Sequence, residues 1–148
     1  EKHIRRLSKG KCEPESGVIF LDIISNLERI GDHAVNLAEY GDDMRKWEID
    51  FSDTVKEELN EMKAQCIAAL DNLKEVTSEN VERILSQAVI IEQKTDDMRD
   101  KYFKKQMQRL KKGKCKPQSG IVFSEILTDF ERMGDHALNI AQQYREME

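Results

Sequence analysis

Apolar residues recur at steps of three and four along most of this chain. Between residues 16 and 40 they fall at Phe20, Ile23, Ile24, Leu27, Ile30, Ala34, Leu37 and Ala38, which predicts an amphipathic helix. Gly10 is a suitable stop for a preceding helix, and Pro14 suits the first turn of this one. Residues 41–51, GDDMRKWEIDF, break the pattern and read as a connection. A second helix is expected from Ser52–Thr54, where Thr54-x-x-Glu57 has the form of a capping box. Its stripe is Val55, Leu59, Met62, Cys66, Leu70 and Leu73. Thr77–Asn80 should end it and cap a third helix from about Val81 to Lys112. Ile84, Ala88, Ile91, Thr95, Met98, Tyr102 and Leu110 of that helix should face inward. Gly113 stops it. A last helix runs from about Pro117 to the C-terminus, with Phe123, Ile126, Leu127, Phe130, Met133, Ala137, Ile140 and Ala141 on one face. No segment alternates as a strand does. The expected fold is all-α, an antiparallel three-helix bundle over residues 52–148 joined by short turns.

The chain also repeats itself. KGKCEPESGVIFLDIISNLERIGDHAVNLA starts at Lys9, and KGKCKPQSGIVFSEILTDFERMGDHALNIA starts at Lys112, 103 residues later and without a gap. Such a repeat marks a duplicated supersecondary unit. Residues 1–40 match only the end of the second and the third helix of the 52–148 unit. They are read as the last part of a truncated first repeat, with 41–51 as linker. By the same offset, about 50 residues of that repeat are expected upstream of Glu1.

Composition narrows the class. Of the 148 residues, 36% are charged, and there are only seven Gly and two Pro. This favours long solvated helices. The net charge of −5 gives no reason to expect nucleic acid as a partner. No apolar run approaches a membrane span, and no signal peptide is visible. The basic amphipathic opening, Glu1 to Ser8, begins in mid-pattern and suggests a piece of a longer protein. Cys12, Cys66 and Cys115 form no C-x-x-C pair, so a zinc ribbon or redox motif is not expected. Their odd number suits a reducing compartment. The basic segments KYFKKQMQRLKKGKCK and HIRRLSKGKCE read either as helix ends favoured by the dipole or as a rim meeting phosphate, lipid headgroups or an acidic partner.

The candidate chemistry is acidic. Glu28 and Asp32 stand one helical turn apart at the edge of the apolar stripe, and Glu131 and Asp135 repeat them. Glu92 and Asp96 give a third pair at the same spacing. Acids beside a core are costly and repel each other at this spacing, and a cation relieves both penalties. The competing reading is a solvated face neutralised by Arg29, Arg99 or Arg132. Gly31 and Gly134 lie within helices, where Gly is unfavourable. A close neighbouring helix or ligand is expected there. His33 and His136 lie about 100° around the helix from the acids. They are expected at an interface or beside the acids rather than as direct ligands, as are Asn36 and Asn139.

NLERIGDHAVNLAE and DFERMGDHALNIAQ resemble the signature helix of the PhoU family. The resemblance implies two three-helix repeats and Glu/Asp-x-x-x-Asp motifs that bind multinuclear metal clusters. It also implies a role in phosphate uptake and its regulation. Glu28, Asp32, Glu131 and Asp135 fall on the metal motif, with Glu92 and Asp96 on its middle-helix counterpart. The metal would be iron, zinc or similar. The KGKC-x-P-x-SG loop is similar to the PhoU-like region that follows the membrane part of bacterial sodium/phosphate cotransporters. The partner helix that would complete the first metal site is absent here.

These observations lead to the expectation of a metal-binding regulatory domain of a sodium-dependent phosphate transporter. It would lie at the cytoplasmic face of the inner membrane, and its partners would be the transporter's membrane region or the phosphate-uptake machinery. A free-standing PhoU-type regulator is the alternative. No nucleophile–base pair is visible and no catalysis is expected. A di-metal carboxylate enzyme would want Glu-x-x-His on paired helices, which the chain lacks. A structural dimerisation module without metal is a further rival. The residue 16–40 stripe, without its own bundle partners, is expected to drive homo-oligomer formation, with 41–51 as hinge.

Overall fold

A computed structural model describes residues 14–147, together with Lys2 and Ile4. The first basic segment, Gly10 and Cys12 lie outside the described residues. Over residues 14–147 four helices follow one another: α1 (Pro14–Lys46), α2 (Asp53–Lys74), α3 (Val81–Lys111) and α4 (Pro117–Met147). No strand occurs among the described residues, so the fold is all-α. α2, α3 and α4 form an up-down-up bundle, and α1 packs antiparallel along α4. α4 is therefore the central element, in contact with each of the other three.

Local chemistry fixes the helix ends. Pro14 and Pro117 open α1 and α4, where the missing N–H costs nothing. Ser52 caps α2 by accepting from the Val55 N–H at 3.3 Å. The cap is therefore Ser52, not the expected Thr54–Glu57 box. Asn80 precedes α3 but does not cap it with its side chain. It accepts from the Thr77 N–H and donates to the Glu75 carbonyl, which holds the α2–α3 turn closed. α3 ends in a Schellman motif: Gly113 adopts φ +67°, its N–H donates to the Leu110 carbonyl, and the Lys114 N–H donates to that of Arg109. Gly120 matters for packing, since a Cβ there would lie 3.0 Å from Leu110 Cδ1.

One boundary moved. α1 does not stop near residue 40 but runs through Gly41 to Lys46, leaving residues 47–52 as the connection. Tyr40 and Met44 continue its inner face and pack with Ile49 on the core around Phe51, Val55, Met62 and Phe123. That packing outweighs the roughly 1 kcal/mol that Gly costs inside a helix.

The α1 stripe also divides. Ile23, Ile30 and Leu37 pack against α4-centred clusters that include Cys66 and Met133. Leu21, Ile24 and Leu27 stay exposed, with Val18 and Val35 beside them. Elsewhere the inward-facing residues are those the periodicity marks, including Ile84, Ala88, Thr95 and Tyr102 on α3. A charged pair enters the core between α2 and α3: Arg109 on α3 donates to Glu58 Oε1 on α2 and to Gln106 Oε1. Its guanidinium lies over Phe123. A buried pair of this kind is secure only while both partners remain.

Candidate metal centre

The α3–α4 interface is closed by small residues at one end, where Ala88 meets Ala141. One turn further along, acids take the facing positions. Glu92, Asp96 and Asp135 each present a carboxylate oxygen, and these oxygens all lie within 4.8 Å of one another. Glu131 joins them, one turn before Asp135 and within hydrogen-bonding reach of both Asp96 and Asp135. Each carboxylate is half-buried.

Four acids in so small a space cannot all be ionised cheaply. Burial first, and then the Glu131 charge, push the Asp135 carboxyl up to about 8. Glu131 is raised by burial and by Asp96, with Arg99 opposing. Glu92 is raised by burial and by Asp96. A site that holds protons this firmly also favours any other positive charge that reaches it. The donor set is entirely oxygen, which fits a hard or borderline cation better than zinc with its usual nitrogen and sulfur ligands. Glu92, Asp96, Glu131 and Asp135 together thus fit the role of metal ligands.

The pair on α1 meets different surroundings. Glu28 and Asp32 are exposed, and α1 lies along α4, with Ile23, Leu37 and Met44 reaching clusters that include α2 residues. Among the described residues no second acid pair faces them.

The duplicated histidines meet between α1 and α4. His33 Nδ1 donates to Asp129 Oδ1 at 2.7 Å, and His136 Nδ1 donates to Asn26 Oδ1 at 2.9 Å. Both positions obey the 103-residue offset, so the two contacts are related by an approximate twofold axis. The rings stack across it with centroids 5.5 Å apart. Burial, then His33, then Arg29 and Arg132 lower the His136 pKa. Asn36 lines a cavity between α1 and α4, whereas Asn139 is exposed. A Cβ at Gly31 or Gly134 would meet nothing within 4 Å. The expected close approach of a helix is therefore not the reason for either glycine.

Asp129 was not among the residues expected to matter. Its signal was available, because Glu125 and Asp129 form a further Glu-x-x-x-Asp pair. That pair is not duplicated, since Asp22 and Asn26 stand at the matching positions.

Residues 1–41 and 59–144 match the PhoU domain family. The chain belongs to the PhoU family. The unmatched stretch between the two blocks spans the end of α1, the 47–52 connection and the start of α2. No curated protein and no solved structure matches the chain. PhoU membership places the domain in phosphate-transport regulation at the level of the family, which is regulatory rather than enzymatic. Among the described residues, no helix is long and apolar enough to cross a membrane.

Proposed function

We propose that this PhoU domain binds a metal ion between α3 and α4 and regulates a sodium-dependent phosphate transporter. The observation that carries the metal reading is the convergence of Glu92, Asp96, Glu131 and Asp135, with the Asp135 proton held up to about 8. The ion would be di- or trivalent, of the iron class, bound through carboxylate oxygens. It would supply positive charge that ties α3 to α4. Loss or gain of that charge changes how firmly the two helices pack, and so couples the ion-bound state to whatever α4 touches. α4 is placed for this, because it contacts every other helix.

The transporter context rests on the KGKC-x-P-x-SG loop and on family membership. A position at the cytoplasmic face of the membrane agrees with the free thiols of Cys66 and Cys115. Assembly into a homo-oligomer is supported by the exposed Leu21, Ile24 and Leu27 on α1.

Elemental analysis and calorimetry with iron, zinc and nickel test the metal reading. Stable binding that is weakened by Glu131→Ala with Asp135→Ala supports it. A wild-type domain that stays metal-free at micromolar metal sinks it. Light scattering tests assembly, and a monomer that binds no apolar dye would rule out the homo-oligomer.

A further inference from the structure

Residues 101–124, KYFKKQMQRLKKGKCKPQSGIVFS, hold eight Lys or Arg and no Asp or Glu. The rest of the chain carries −13 against this +8, for a total of −5. The segment covers the last part of α3, the turn at Gly113 and the start of α4. Of the eight cations, only Arg109 pairs with an acid among the described residues, the buried Glu58. Lys101 and Lys105 lie over the Tyr102 ring. Lys104, Lys111, Lys112, Lys114 and Lys116 are exposed. The helix dipole favours cations in the last turn of α3, but Lys101, Lys104 and Lys105 lie before that turn. It disfavours Lys116, which stands just before the N-terminus of α4. α4 has no acid in its first turn to offset that charge, whereas α1, α2 and α3 each have one.

Exposed apolar groups lie among these cations. Phe103, Met107 and Ile121 are 39%, 40% and 58% exposed. Met107, Leu110, Pro117 and Ile121 line an open groove of about 360 Å³ between the end of α3 and the start of α4, and Glu125 is the one acid among its lining residues. Met107 sits one turn after Phe103 and Lys104 and one turn before Lys111, so apolar and cationic groups share a face of α3. The exposed apolar face of α1 is different. Acids, Asp22 and Glu28, stand among Leu21, Ile24 and Leu27 there.

We infer that the end of α3, the Gly113 turn and the start of α4 together form a docking surface for an anionic lipid bilayer. The lysine ammonium groups meet headgroup phosphates, and Phe103, Met107 and Ile121 enter the boundary between headgroups and acyl chains. The unpaired cations fall within the range of about four to eight that marks anionic-lipid binding. All of them are Lys. Protein interfaces are depleted in Lys and enriched in Arg, whose fork suits single carboxylates or phosphates. Lysine stems instead cover apolar surface while the charge stays in the polar layer, which suits a bilayer. Nucleic acid would use the charge but not the exposed apolar side chains. The same membrane repels the acidic remainder of the chain, so this end turns toward it. The inference rests on charge and exposure alone, not on the metal or the transporter.

The test is co-sedimentation of the chain with vesicles, in a chelator so that the α3–α4 acids play no part. Vesicles of phosphatidylglycerol and phosphatidylcholine in equal parts should bind it at low salt, and vesicles of phosphatidylcholine alone should not. Rising salt should release it. Lys104→Gln with Lys111→Gln should weaken binding roughly 25-fold, at about fivefold for each cation near an anionic surface. Lys74→Gln with Arg83→Gln makes the same charge change at the far end of α2 and α3 and should leave binding unchanged. Met107→Ser with Ile121→Ser should weaken vesicle binding at least about tenfold through lost apolar burial. These sites are exposed, and circular dichroism checks that each variant is folded. A wild-type chain that stays in solution with the anionic vesicles at low salt would overturn the proposal. Equal losses from the two charge variants would do so too. An apolar variant that binds vesicles like the wild type, with duplex DNA held as tightly by both, would make this a nucleic-acid surface instead.

Discussion

Leu127 on α4 is 1% exposed, while Ile24, its counterpart 103 residues earlier on α1, is 44% exposed. The same contrast runs along both helices. Glu131 and Asp135 face Glu92 and Asp96, whereas Glu28 and Asp32 face no acid pair among the described residues. Two copies of one sequence motif thus occupy two environments. The acid pair is a motif on both helices, but only on α4 does a partner helix turn it into a cluster with a held proton. Where the copies meet, by contrast, they behave alike: His33 and His136 stack, and each donates to the other helix.

The largest expected difference is in stability. Leu127→Ala should cost about 2–4 kcal/mol, as buried truncations do. Ile24→Ala should stay within about 0.5 kcal/mol in the monomer, as surface changes do. Urea denaturation compares them directly. A large, concentration-dependent cost at Ile24 would mean that a second copy covers the α1 face.

The next effect concerns pH. The Asp135 carboxyl is raised in the fold, so between its ordinary value of 3.8 and about 8 the folded domain keeps a proton that the unfolded chain releases. Stability of the metal-free domain should therefore fall as pH rises through that window. Glu131→Gln with Asp135→Asn should flatten the thermal-melting profile. A profile that is flat in the wild type would show that the cluster carries no such strain.

Exchanging the residues at the approximate twofold axis should have a smaller effect. Asn26→Asp removes the donors to the Asp22 carbonyl and to Gln143, and should cost about 1–2 kcal/mol. Asp129→Asn keeps the acceptor for His33 and should cost less. Equal costs would contradict the inequality of the two halves. Smallest of all, Gly31→Ala and Gly134→Ala should each stabilise the metal-free domain by up to about 1 kcal/mol, because a Cβ meets nothing at either position. A melting temperature that falls would show a neighbour closer than the fold places it.

Much of this was legible from the chain. Period-3.6 patterning marks all four helices, and the spacing of Glu92 with Asp96 and of Glu131 with Asp135 places both pairs on inward edges. Gly113 announces its own turn. What stayed hidden depended on tertiary context. Ile23 and Ile24 look equivalent in a stripe, yet only contact with α4 decides that Ile23 is covered. Gly41 looks like a break, and the anchoring of Met44 beyond it overrides the local preference. Repetition marks only the duplicated acids, and Asp129 is where the copies differ.

The central claim is that α3 and α4 together build a metal site that α1 cannot build alone. Metal content by mass spectrometry, after exposure to micromolar iron and removal of excess, tests it most directly. Three proteins suffice: wild type, Glu131→Ala with Asp135→Ala, and Glu28→Ala with Asp32→Ala. The account predicts bound metal in the wild type, loss of most of it in the α4 variant, and no change in the α1 variant. Equal losses from the two variants, or a wild type without metal, would contradict it.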